Sequence, residues 1–497
     1  MKKYFALLTG VLFLYSCTED AVVVTPDPEP IVYTSGTANF STYVALGNSL
    51  TAGYSDGALF ADGQLASFPN QIAGRMALAG GGAFDIPLMA DNLGGATLGG
   101  QQILGNRMYL DFSSGSPAPK TVFGPPATDI AKKLSGKFNN MGVPGAKSYH
   151  LLAPGYGNVA GVPVGLANPY FARFASSAST TVLADAMAKQ PTFFTLMIGN
   201  NDVLGYATAG GAGVNQTGNL NPATYGGSDI SDPNVVVGAI QAIVQTLTQG
   251  GAKGVIANVP NVLGAPYFTT VPHNPIPLDA ATATMLNSAA AFGAYNAGIA
   301  QLASLGIISA AEKTKRTITF AAGAGNAVVI LDESLTDLSG FNPALTKMRQ
   351  ATAADKVVLT AQNVIGKLVN NNPSLINGVS VPLEDKWVLT PQEQAEISTA
   401  TQAINAGIAQ VAQAYGLPLV DTYGFFNGLI ANGVSLSDGS KITAKYGSGG
   451  GFSLDGVHPS PRGYALISNL FISAINSTYK SNLPLVNPLD YKGLYVN

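Results

Sequence analysis

The sequence predicts an α/β fold with a parallel sheet covered by helices on both faces, and three recurrences point to it. Helix-compatible stretches at residues 178–190, 235–249 and 393–415 are each followed, after a short break, by a β-rich apolar run: PTFFTLMIG (191–199), GVIANVP (254–260) and GLPLVDTY (416–423). Helices alternating with strands require crossover connections, and crossovers make neighbouring strands parallel and bury them on both faces.

The first strand of this series is YVALG (43–47), an apolar run that ends in Gly-Asn-Ser-Leu. Gly, Asn and Ser are the residues that turns prefer, so by itself this stretch reads as an ordinary strand end. A second candidate strand, KFNNMGV (137–143), leads into a Pro-Gly turn. The last helix is expected at 461–479, where SPRGYALISNLFISAINS offers a Ser-Pro start and an apolar face at helical spacing. Two Gly-rich stretches, 81–100 and 206–227, read as long loops. Residues 261–389 break the rhythm with a Pro-rich loop, an Ala-rich helical stretch (280–305), two β-like runs (316–323 and 326–333) and a mixed segment. They read as a large α+β insertion, a candidate cap.

A chain of 497 residues has ample material for one enlarged domain or two. Only 11% of its residues are charged, and mean hydropathy is +0.23, yet beyond the N-terminus no apolar run approaches the roughly 20 residues of a membrane-spanning helix. A net charge of −3 and the absence of a Lys/Arg cluster make nucleic acid an unexpected partner.

The N-terminus has the layout of a secretory signal: Met1-Lys2-Lys3, an apolar stretch from Tyr4 to Tyr15, then Ser16 and Cys17. Leu14-Tyr-Ser-Cys17 resembles the bacterial lipobox, in which the cysteine is lipidated; Tyr15 is bulkier than usual there. As the only cysteine, Cys17 has no partner in the chain for a disulfide. Glu19-Asp20 resembles the surface-export signal of Bacteroidetes lipoproteins. The expected organisation is a signal peptide over 1–17, a Pro-rich tether over 18–36, a folded domain over 37–480 containing the 261–389 insertion, and a C-terminal extension over 481–497. The resemblance implies export across the inner membrane and lipid anchoring to the outer membrane.

Ligands of open parallel sheets bind beyond the carboxyl ends of the strands, so reactive residues placed there are the candidates. Four turns supply them: Ser49 after the first strand, Gly145 after the second, Asn200-Asn201-Asp202 after TFFTLMIG, and Asp455 with His458 just before the last helix. A hydrolytic serine needs a base, a carboxylate to orient that base, and donors aimed at the oxyanion. His458 is one of three histidines, with His150 and His273, and the only one three residues after an aspartate in a Gly/Pro turn. Taken singly, a histidine is more often structural and Asp455 reads as a turn or capping residue. No histidine pair has the helical spacing of metal ligands.

Together the four stretches resemble the SGNH, or GDSL-type, esterase/lipase family. Gly47-Asn48-Ser49-Leu50 matches its first block, Asn140-Met-Gly-Val-Pro-Gly145 its glycine block, Gly199-Asn200-Asn201-Asp202 its Gly-x-Asn-Asp block, and Asp455-Gly-Val-His458 its Asp-x-x-His block. The matches follow the family's order. The resemblance implies a three-layer α/β/α flavodoxin-like sandwich, a Ser49-His458-Asp455 triad, an oxyanion hole made by Ser49, Gly145 and Asn201, and no metal or organic cofactor. Two departures stand out: Asn48 replaces the aspartate common before the serine, and the gap from Asp202 to Asp455 is far longer than in compact members.

The leading expectation is a lipid-anchored esterase that forms an acyl-enzyme from acyl esters of lipids, with the Ala/Val/Leu-rich insertion as a source of apolar pocket. A second keeps the chemistry on acetylated polysaccharide; Trp387 is the single tryptophan available for sugar stacking, beside 20 tyrosines. A third, of another class, is a non-catalytic surface binding lipoprotein on the same fold.

Overall fold

The computed structural model describes residues 31–113 and 115–496. The signal peptide, Cys17 and most of the tether lie outside the described residues. By Thr34 and Thr37 the chain is already bonded to the C-terminal end of the fold, through the Asn482 side chain and the Tyr479 carbonyl.

Five strands form one parallel sheet: β1 (Tyr43–Gly47), β2 (Asn140–Gly142), β3 (Phe193–Met197), β4 (Lys253–Ala257) and β5 (Leu419–Val420). Their order across the sheet is β2-β1-β3-β4-β5, the flavodoxin-like arrangement. β1 therefore lies between β2 and β3, with Gly47 in register with both Gly142 and Met197. The chain leaves β1 toward one edge and later returns on its other side. The crevice beyond the carboxyl ends of β1 and β3 is the topological switch point, where such sheets bind ligands. All residues of β1 and β3 are buried, which explains their apolar runs, broken in β3 only by Thr195, whose hydroxyl meets that of Tyr43.

The helices that position the site are α1 (Ser49–Ala52), α2 (Phe68–Ala77), α3 (Asn201–Thr208), α4 (Pro233–Gln249), α5 (Pro391–Ala414) and α6 (Pro461–Tyr479). Three begin with proline behind a polar cap. Asp232 accepts from the N–H groups of Asn234 and Val235; Thr390 and Glu393 make a reciprocal capping box; Ser460 accepts from Gly463. α6 packs on α2 through stacked Phe68 and Phe471 rings, 5.0 Å apart, and its Tyr479 hydroxyl donates to the Gly254 carbonyl of β4. α4 and α5 lie so close that a Cβ on Gly407 would fall 2.2 Å from a Val237 methyl.

Where expectation and structure part, local side-chain bonding is the reason. The helix expected at 178–190 spans only Val182–Met187, because Thr181 caps it and Asp185 bonds back to Ser176 and Thr180. The strand expected at 137–143 shrinks to Asn140–Gly142. The first Gly-rich stretch carries strand Ala96–Leu98, paired with Gln101–Leu104, and the start of the second continues α3 to Thr208.

Residues 261–389 hold three helices (Ala280–Asn287, Phe292–Ser304, Ala310–Arg316) and small antiparallel pairs such as Val329–Leu331 with Met348–Gln350. The run expected at 316–323 is mostly not a strand, although Ile318 and Phe320 are buried as alternation requires. Asn296 and Asn287, side chains on the two longer helices, each bond the N–H and C=O of Ile318 and Phe320 in place of a strand partner. Buried Arg349 is held by Asp332 and, through two bonds, by Asp355.

Candidate active site

The four turns singled out in the sequence converge at the carboxyl edge of the sheet. Ser49 is the first residue of α1, directly after β1. Its turn is fixed by Asn48, whose Oδ1 accepts from the Leu50 N–H at 3.2 Å and whose Nδ2 donates to Asn200 Oδ1 at 2.5 Å. The amide at position 48 thus ties the turn after β1 to the turn after β3, which a carboxylate acting only as an acceptor would not do toward Asn200 Oδ1.

The glycine block passes close under α1. A Cβ on Gly142 would lie 2.3 Å from the Ala52 nitrogen, so no side chain fits where β2 meets this turn. Asn140 reinforces the contact, donating to the Thr51 carbonyl and accepting from Gly142. Gly145 then turns with φ +81°, a conformation L side chains rarely adopt. Asn201, at the start of α3, donates from Nδ2 to the Ala146 carbonyl at 2.9 Å. Asp202 beside it is fully buried and accepts from the Ser148 N–H and hydroxyl. Burial pushes its carboxyl up to about 6 against those bonds. Asp202 and Asn201 therefore lock the Gly145 turn onto α3.

The last turn brings the remaining two groups. His458 Nε2 lies 2.9 Å from Ser49 Oγ, and His458 Nδ1 lies 2.9 Å from Asp455 Oδ2. Asp455 Oδ1 accepts from the N–H groups of Val457 and His458, and Oδ2 also accepts from Gly57. Burial alone would raise this carboxyl, yet His458 and these N–H groups hold it below the usual carboxylate range. The aspartate is accordingly ionised at neutral pH. Tyr54 lies against the imidazole, ring centres 4.6 Å apart.

Among the described residues, neither the Ser49 nor the Gly145 N–H has a hydrogen-bond partner. Gly145 and Asn201 line the same cleft as His458, whose Nε2 meets Ser49 Oγ. The cleft has a volume of about 400 Å³, its walls including Tyr54, Gly145, Lys147, Asn201, Tyr267 and His458. Lys147 Nζ is engaged by the carbonyls of Gly226 and Asp229. On the far side of Leu204, Val457 and His458 lies a small apolar pocket of about 40 Å³, closed by Leu50, Val262, Phe426 and Phe452. The insertion reaches the cleft through Tyr267, whose N–H donates to the Gly456 carbonyl in the Asp455–His458 turn. Its own larger apolar pocket, about 540 Å³ beside Phe292 and Leu345, shares no lining residue with the cleft.

The other two histidines stand elsewhere. His150 accepts from the Lys147 N–H and stacks on Tyr156, and burial lowers it to about 4; His273 belongs to the insertion. No cluster of metal-ligating side chains occurs among the described residues. Sequence reading placed Asn140 and Asn200 inside family-like blocks without giving either a role, and did not single out Tyr54 or the Asp56-Gly57 segment. Their partners lie far along the chain.

Residues 281–471 match the family model described as GDSL-like Lipase/Acylhydrolase. The matched segment contains Asp455 and His458; Ser49, Gly145 and Asn201 precede it and join them in space. No curated protein matches the sequence. Among solved structures, an acetyl xylan esterase, AlAXEase, aligns over 67% of this chain and 78% of its own, with 12% identity and a TM-score of 0.23. A likeness that loose says nothing about substrate.

Proposed function

We propose that this chain, a member of the GDSL-like lipase/acylhydrolase family, is a serine ester hydrolase whose nucleophile is Ser49. The carrying observation is the hydrogen-bonded series Ser49 Oγ, His458 Nε2, His458 Nδ1, Asp455 Oδ2, with both links at 2.9 Å. The unpartnered N–H groups of Ser49 and of Gly145 in the cleft wall support the companion role of an oxyanion hole.

In this reading Ser49 Oγ attacks the ester carbonyl carbon while His458 Nε2 takes the hydroxyl proton. Asp455 keeps the proton of Nδ1 on the side facing it, which leaves Nε2 free to act as the base. The carbonyl oxygen becomes an oxyanion held by the N–H groups of Ser49 and Gly145 and by Asn201 Nδ2. Collapse breaks the bond to the alcohol oxygen, which leaves with the proton from His458. Water, deprotonated by the same nitrogen, then attacks the acyl-Ser49 carbonyl, and the acid departs as Ser49 recovers its proton.

Acyl esters are the substrate class, and lipid esters remain the first reading within it, with the anchor suggested by Leu14-Tyr-Ser-Cys17 holding the enzyme at the outer membrane. The insertion serves as a partial cap in this scheme, which its Tyr267 at the cleft supports. A second reading, acetylated polysaccharide, is favoured by one observation. The pocket next to His458 has about 40 Å³ of space, room for a very short acyl group.

The test is a series of p-nitrophenyl esters of increasing acyl length, assayed on residues 18–497 beside Ser49→Ala. Hydrolysis abolished by the substitution supports the reading. An optimum at medium or long chains selects lipid, and activity confined to acetate selects the acetyl ester. Hydrolysis surviving in a clean Ser49→Ala preparation would sink the assignment.

A further inference from the structure

Residues 54–57 follow Ser49 within one short stretch of chain, and they grip the turn that carries Asp455 and His458, some 400 positions away. Asp56 is the centre of the grip. Its N–H donates to Ser453 Oγ and its Oδ1 accepts from the Leu454 N–H, both at 2.9 Å. The next N–H, that of Gly57, donates at 3.0 Å to Asp455 Oδ2, the same oxygen that faces His458 Nδ1. Three successive residues of the distant turn, Ser453, Leu454 and Asp455, are thus bonded by two successive residues of the serine's own loop.

The loop is fixed on its other side as well. The Asp56 carbonyl accepts from Met108, and the Tyr54 carbonyl accepts from the Tyr464 hydroxyl of α6. Asp56 is only 1% exposed and has φ +52°, a left-handed conformation that costs a non-glycine residue energy. A buried acidic side chain in that conformation, beside the partly buried Asp455 carboxylate, is an expensive choice for a loop. Burial pushes its carboxyl up to about 7, with Asp455 raising it further and Leu454 and Arg107 opposing; Tyr446, Tyr464 and Tyr495 also face it. The bond to Leu454 needs only an acceptor oxygen, which survives protonation.

We propose that Asp56 is a positioning residue that sets the Ser49–His458 distance by clamping the Ser453 hydroxyl and the Leu454 N–H, just before Asp455, to the serine's loop. The proposal rests on the ester-hydrolase reading and extends it to a residue outside the four family-like blocks. Asp56 touches neither substrate nor the reacting atoms. It acts through the turn that carries Asp455, which would otherwise be bonded to the serine's loop only by the Gly57 N–H and the His458–Ser49 contact.

The test compares wild type, Asp56→Gly and Asp56→Asn in p-nitrophenyl acetate hydrolysis, with kcat and KM separated, and in the rate at which a fluorophosphonate labels Ser49. Glycine suits φ +52° and removes the acceptor without backbone strain; asparagine keeps an acceptor oxygen and tolerates the conformation. Misplacing a reacting group by about 1 Å costs roughly a hundredfold in rate. Asp56→Gly is therefore expected to lose about a hundredfold in kcat and in labelling rate with KM unchanged, and Asp56→Asn to stay within about threefold of wild type. Asp56→Gly at wild-type kcat, or Asp56→Asn falling as far as Asp56→Gly, would overturn the proposal. Should Asp56→Gly not fold, Ser453→Ala removes the acceptor of the Asp56 N–H. A loss of kcat at constant KM supports the clamp, and an unchanged kcat overturns it. Wild type that neither hydrolyses nor labels would instead fail the ester-hydrolase reading, and the clamp with it.

Discussion

Replacing Asp455 with asparagine probes how the His458 base is kept ready. The carboxylate accepts four bonds: two N–H groups, of Val457 and His458, on Oδ1, and the Gly57 N–H and His458 Nδ1 on Oδ2. An asparagine has one acceptor oxygen and one NH₂ group. With its oxygen on the Oδ1 side it keeps two backbone bonds and turns its NH₂ toward Gly57 and His458; the flipped orientation loses both of those bonds. The first orientation is better by one bond, on the order of 1 kcal/mol. Its NH₂ then donates to His458 Nδ1, which puts the imidazole proton on Nε2, where it cannot accept from Ser49. In a triad of this type the wrong tautomer lowers kcat by roughly 10⁴, about 5 kcal/mol of barrier. Asp455→Asn should therefore lose about four orders of magnitude in kcat on p-nitrophenyl acetate, with KM changed little and thermal stability close to wild type. A variant that folds normally and keeps kcat within tenfold would refute the role given to Asp455.

Other parts of the account make their own predictions. Asn201→Ala should lower kcat by about two to three orders of magnitude with little change in KM, as loss of one oxyanion donor does; an unchanged kcat would remove Asn201 from the hole. Gly47→Ala would place a Cβ 2.1 Å from Thr51 Oγ1 and 2.4 Å from the Met197 carbonyl, so urea unfolding should show a loss of at least about 1–3 kcal/mol. In the insertion, burial opposes ionisation of Asp332, but Ser334, Arg349 and Lys315 hold its carboxyl well below the usual range. Its contribution is therefore fully present above about pH 4, the unfolded value, and is lost as pH falls through the lower native one. Arg349→Met should cost about 3–5 kcal/mol at pH 7 by removing both bonds to buried Asp355 and leaving buried Asp332 with Lys315 as its only cation, and the cost should shrink as pH falls below about 4 toward the native Asp332 value, measured by denaturant melts.

Much of the site was legible because its chemistry sits where strands end. Ser49, Gly145 and Asn201 each follow an apolar run, and Asp455 and His458 precede a helix whose Ser-Pro start fixes its first turn. The sheet was legible for the same reason: β1 and β3 are buried on both faces and read as apolar runs. What escaped notice depends on contacts between distant residues. Nothing near Asn48 indicates that its amide spans to Asn200, and nothing near Asp56 indicates a partner 398 residues away. In the insertion, alternation at Ile318 and Phe320 reported burial correctly and pairing incorrectly, because asparagines on two helices took the place of a neighbouring strand. Helix 182–187 was overestimated because Ser and Thr beside Asp185 prefer side-chain bonds to another helical turn.

The central claim is that Ser49 is a nucleophile activated by His458, and covalent labelling tests it most directly. The protein, residues 18–497, would be treated with a fluorophosphonate, digested and analysed by mass spectrometry, beside His458→Ala. The account predicts a single phosphonylated site at Ser49, with labelling slowed by orders of magnitude in His458→Ala. Labelling at another serine, or at Ser49 with equal speed in both proteins, would contradict it.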